Sequence, residues 1–149
     1  MNGFYAASQD LTLDEYRELA EFRHRIRRFQ SVTEQNAKDL DIDPDALLLL
    51  LAVQGLPEGV RPTVAGLAER MCLNKEAVSS LIDDAVARND LTRSSPDSGV
   101  GEDWVKLTRN GREQLHRMAA ANRDELDHTG PDLVRALRSV LKQRQRSRA

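Results

Sequence analysis

A chain of 149 residues with 40% hydrophobic and 31% charged side chains has room for one well-cored domain and too little length for two. Its net charge of −2 gives no global case for nucleic acid, and no run approaches the roughly 20 apolar residues a membrane span needs. The start lacks a basic region followed by an apolar stretch, so a cytoplasmic rather than a secreted protein is expected, and the single cysteine excludes an internal disulfide framework.

Thr12-Leu-Asp-Glu15 has the form of a capping box, and behind it Tyr16, Leu19, Ala20, Arg23, Ile26, Phe29, Thr33 and Ala37 follow helical spacing. A helix over 11–37 is predicted, long enough to need a second helix to cover its apolar stripe. Asp43-Pro44 caps a short helix to Gln54, and its five consecutive leucines, Leu47 to Leu51, should make it central to the core. Thr63 caps a helix over 64–71, and Asn74 caps another over 75–89 after a tight turn at Leu73. Val78, Leu81, Ile82, Ala85 and Val86 form the inward stripe of that helix, with Lys75, Glu76, Ser79 and Asp83 outward. Cys72 lies among Leu67, Ala68, Met71 and Leu73 and is expected to be a buried packing thiol.

Leu91–Arg93 and Asp103–Leu107 read as two short strands around a Ser/Pro/Gly-rich loop, a hairpin over 90–108. Thr108 caps the next helix, and His128-Thr-Gly-Pro131 is expected to break it before a final helix carrying Leu133, Val134, Leu137, Val140 and Leu141. The sum is six helices and a two- to three-stranded hairpin, a mainly α fold of the winged helix-turn-helix kind. In that layout the first helix of the pair braces the second, whose exposed N-terminal half enters a major groove and presents polar side chains to base edges.

Leu67-Ala-Glu-Arg-Met71, Asn74-Lys-Glu-Ala-Val-Ser79, Leu81-Ile-Asp83, Leu91-Thr-Arg93 and Val105-Lys-Leu-Thr108-Arg-Asn-Gly111 together resemble the pattern of the MarR (multiple-antibiotic-resistance) family of transcriptional regulators. The resemblance extends from about Leu11 to Leu141. It implies a homodimer, with 11–37 and 112–145 as dimerisation helices and 43–108 as the DNA-binding lobe. It also implies DNA-facing roles for Thr63, Asn74, Lys75, Glu76, Ser79, Ser80 and Arg93. By family geometry Tyr16, Phe22, Arg23 and His24 would border a crevice for a small aromatic ligand, although the same residues can simply pack or solvate the first helix.

The wing departs from that family. Most relatives carry arginine at the tip, whereas Pro96-Asp-Ser-Gly-Val-Gly-Glu-Asp103 has none, and over Arg61–Thr108 six basic residues face eight acids. Asp83 stands where relatives often have an acid paired with a wing arginine, and that partner is expected to be missing. Two readings stay open: a DNA-binding regulator working through helix 75–89 and a basic C-terminal end, or a dimer that has lost most DNA affinity and acts through a ligand or protein. No enzyme is expected. His24, His116 and His128 have no metal-ligand spacing, no phosphate loop or cofactor motif is present, and the adjacent Asp83 and Asp84 diverge by about 100° on a helix.

Overall fold

The computed structural model describes residues 10–148. Five helices and one antiparallel strand pair follow in the order α1 (Leu13–Asp39), α2 (Pro44–Gln54), α3 (Val64–Met71), α4 (Lys75–Ala87), β1 (Leu91–Ser94), β2 (Trp104–Leu107) and α5 (Arg109–Arg148). The residues form two compact units, one of Thr33–Asn122 and one joining the described residues up to Val32 with those from Arg123 onward.

Local chemistry sets the helix ends. Thr12 N–H donates to the Glu15 carboxylate at 2.7 Å and Glu15 N–H donates to Thr12 Oγ1 at 3.2 Å, the reciprocal capping box. Asp43 accepts from the amides of Asp45 and Ala46, Thr63 from Gly66 and Asn74 from Ala77. Three helices close through a left-handed residue, Asp41, Cys72 and Asn89, each followed by an amide that reaches back five residues.

In the first unit Leu47, Leu49 and Leu50 of α2, Leu67 and Ala68 of α3, Val78, Ile82 and Ala85 of α4, Leu91, Val105, Leu115 and Met118 share one core with Ala37. Each large side chain buried there contributes about 1.5–3 kcal/mol. The leucine run is less uniformly central than its composition suggested, because Leu48 and Leu51 point outward. Cys72 is also exposed, not a buried packing thiol. It occupies the left-handed position that ends α3, and this turns its side chain away from the core that Leu67 and Ala68 enter.

The hairpin has two strands, in the register Leu91↔Leu107 through Ser94↔Trp104. The loop before α3 adds only one bond to its outer edge, from Val105 N–H to the Pro62 carbonyl at 3.2 Å.

The expected break at His128–Pro131 does not occur, which reduces six helices to five: α5 runs 40 residues through Pro131. Proline removes one helical N–H and crowds the carbonyl four residues back, at a cost of about 3 kcal/mol. The apolar positions Leu126, Val134, Leu137 and Leu141 keep one helical phase across it, so a break would throw half the stripe off its face. In the preceding turn Thr129 Oγ1 donates to the Glu125 carbonyl at 2.9 Å. This second unit also ties α1 to α5, where Arg25 lies 2.7 Å from Glu21 and 3.5 Å from Asp132.

Candidate nucleic-acid interface

α3 and α4 meet at a tight turn whose two ends are both capped, and α4 packs Val78, Ile82 and Ala85 into the core. That anchorage leaves Lys75, Glu76, Ser79, Ser80, Asp83 and Asp84 exposed. Lys75, Ser79, Asp83 and Glu76 fall within about 100° of arc, a single polar face. Thr63 and Asn74 are where the sequence placed them, but their side-chain oxygens are committed to caps, at 3.2 Å from Gly66 N and 2.7 Å from Ala77 N. The Asn74 amide nitrogen remains on the exposed side as a donor.

Arg93 is not a free cation near the wing base. Its guanidinium is ion-paired with Asp83 across the gap between β1 and α4. This corrects the expectation that Asp83 lacks its arginine: the partner comes from the strand, not from the tip. The polar face of α4 therefore carries Lys75 against Glu76, with Asp83 neutralised. Beyond it the turn at Pro96–Gly99 presents Asp97, and Glu102 and Asp103 are exposed on the return.

Sequence reasoning missed the junction that fixes the wing to the helices. Asp90 is only 5% exposed, and its carboxylate accepts from Asn110 Nδ2 at 2.8 Å and Arg88 Nε at 3.2 Å. Its carbonyl accepts from Thr108 N–H at 3.0 Å, while the Thr108 hydroxyl donates to the neighbouring Asn89 carbonyl at 2.6 Å. Gly111 N–H donates to the same Thr108 hydroxyl at 3.0 Å. A Cβ on Gly111 would stand 2.1 Å from the Asp90 oxygen, so only glycine lets the first turn of α5 come this close. The Thr-x-x-Gly spacing was the available signal, and it marks a backbone junction.

Tyr16, Phe22, Arg23 and His24 lie along α1; Phe22 is half-buried and the other three are exposed. Tyr16 and Arg23 share a face, whereas Phe22 and His24 point about 160° apart. Arg61 and Trp104 come together unforeseen, the guanidinium 4.0 Å above the ring centre.

Two helices joined by a capped tight turn, with the second free on one polar face and a hairpin after it, define a winged helix-turn-helix protein. No family model matches the sequence, and no curated protein matches it. Solved structures give the particular fold, which is the MarR type. AbsC of Streptomyces coelicolor, a MarR-family transcriptional regulator, superposes with a TM-score of 0.71 at 19% identity over 85% of this chain and 84% of that one. Staphylococcus aureus MarR in complex with salicylate and kanamycin gives 0.69 at 13% identity, over 89% and 91%. A point mutant of S. aureus MepR bound to an oligodeoxyribonucleotide gives 0.58 at 17%, over 94% and 100%.

Proposed function

We propose that this chain is a cytoplasmic, homodimeric transcriptional regulator of the MarR type, and not an enzyme, with α4 entering the major groove. The observation that carries this reading is the free polar face of α4, held by a buried opposite stripe and by caps on both sides of the turn. The likeness to a MepR mutant bound to an oligodeoxyribonucleotide supports it. Lys75 pairs with phosphate or a guanine edge, Ser79 and Ser80 allow close approach, Glu76 accepts from a cytosine amino group, and Thr63 and Asn74 hold helix starts toward phosphate. Arg93 acts as a strut between wing and recognition helix through Asp83.

Homodimerisation is supported by apolar side chains that the second unit leaves in solvent: Leu13, Tyr16 and Leu19 on α1, and Leu126, Val134, Leu137 and Leu141 on α5. A second copy covering both stripes removes that surface from water. Residues 11–37 and 112–145 are then the dimerisation helices and 43–108 the DNA lobe. Release by a small aromatic ligand, with Tyr16, Phe22, Arg23 and His24 as candidate contacts, is supported by the salicylate complex of S. aureus MarR.

One observation favours a second reading, a dimer with little DNA affinity that acts through a ligand or protein partner. The wing tip carries exposed acids and the arginine at the wing base is neutralised, so few phosphates near the tip would be matched by free cations. Fluorescence polarisation with duplexes from beside the chain's own gene separates the two. Specific binding at low salt that weakens toward physiological salt and is lost in Lys75→Ala supports the regulator. Absence of specific binding at low salt overturns it.

A further inference from the structure

The strongest unassigned feature is an open groove of about 510 Å³ between the 59–62 loop, β2 and the start of α5. Three cations line it, Arg61, Lys106 and Arg112, with Trp104 beside Arg61 and Val60 as apolar wall. No acidic side chain contributes to the lining. Elsewhere in the same unit Arg88 pairs with Asp90, Arg93 with Asp83 and Arg109 with Glu113. Among the described residues Arg61, Lys106 and Arg112 have no such carboxylate.

The groove is partly preorganised. Arg61 stacks on the Trp104 ring, and Arg112 donates from Nη1 to the Leu107 carbonyl at 3.1 Å, leaving its other nitrogens for a ligand. Trp104 and Lys106 stand on one face of β2, because side chains two apart in a strand point the same way. The Val105–Pro62 hydrogen bond keeps that strand beside the loop bearing Arg61.

We propose that this groove is a binding site for a small organic dianion, a phosphate monoester or a dicarboxylate with a flat apolar body. The charge decides the class. Three uncompensated cations repel one another, and a monocarboxylate would leave two of them unmatched. A phosphate monoester carries about −1.5 to −2 at pH 7 and offers acceptor oxygens that guanidinium forks grip in pairs. The ring edge of Trp104 with Val60 gives the apolar body of such a ligand a surface to cover. Those walls have nothing to bury against a sugar–phosphate backbone, which argues against duplex DNA as the occupant.

The test is direct because Trp104 is the only tryptophan in the chain. The full-length protein is titrated with phenyl phosphate, benzoate, inorganic phosphate and a short duplex while Trp104 emission is followed. The expected result is a saturable change with phenyl phosphate at least about tenfold tighter than with benzoate or inorganic phosphate. Lys106→Gln and Arg112→Gln should each weaken it by about five- to tenfold. Lys106→Gln is the cleaner variant, since Arg112 also holds the Leu107 carbonyl, and circular dichroism of both variants checks the fold. The proposal is overturned if phenyl phosphate gives no saturable change at millimolar concentration, or if benzoate binds equally well. It is also overturned if Lys106→Gln binds as the parent does, or if only the duplex perturbs Trp104, which would make the groove a DNA contact.

Discussion

The guanidinium of Arg93 on β1 is ion-paired with the carboxylate of Asp83 on α4, so the wing and the proposed recognition helix are linked through side chains as well as backbone. Both partners are substantially exposed, at 46% and 63% of the side chain, and an exposed pair contributes at most about 1 kcal/mol. Its larger effect is to withdraw a cation from phosphate. Asp83→Asn should leave the melting temperature nearly unchanged, raise duplex affinity, and steepen its dependence on log salt by about one phosphate equivalent. Polarisation titrations at several salt concentrations check this, and an unchanged slope would place Arg93 away from the duplex.

The wing acids give a second test of the same interface. Replacing Glu102 and Asp103 by arginine reverses two exposed charges without touching the core. If the hairpin lies on DNA, affinity should rise by about tenfold or more at low salt and the gain should shrink as salt is added. No change at any salt would favour the reading in which the lobe does not meet DNA.

Two glycines of α5 should respond to alanine to very different extents. Gly111→Ala drives a methyl into the Asp90 carbonyl and should destabilise the protein by about 2–4 kcal/mol, a fall in melting temperature on the order of 10 °C. Gly130 also sits inside the helix, but it directly precedes Pro131, whose ring crowds a Cβ on the residue before it, so the helix-propensity gain from Gly130→Ala is offset and the variant should stay within about 0.5–1 kcal/mol of the parent. Thermal unfolding followed by circular dichroism reads both.

Dimerisation is tested on the stripe that one copy leaves uncovered. Leu137, 41% exposed, lies one turn from Val134 and one from Leu141 on the same face of α5. Leu137→Glu should shift the sedimentation coefficient from dimer to monomer at micromolar concentration while the helical content is kept. A parent chain that already sediments as a monomer would remove the homodimer from the proposal.

Helix ends and the inward stripes of the lobe were legible because their causes lie within three or four residues. Thr12 with Glu15, Asp43, Thr63, Asn74 and Thr108 each meet an amide of the adjacent turn, whatever the rest of the chain does. The polar face of α4 follows from periodicity for the same reason. At Pro131 the local signal misled: helix breaking is a nearest-neighbour effect, and the continuous phase of the apolar stripe on either side outweighs it.

The tertiary structure alone decided the pairings between elements. Arg93 reaches Asp83, Arg61 stacks on Trp104, and Asp90 gathers Asn110 and Thr108, because the chain folds back and brings distant positions within bonding distance. It also turned Cys72, Leu48 and Leu51 outward where composition implied burial. A residue's charge and apolarity are written in the sequence. Whether that charge is free or neutralised, and that surface covered or open, depends on which neighbours the fold supplies.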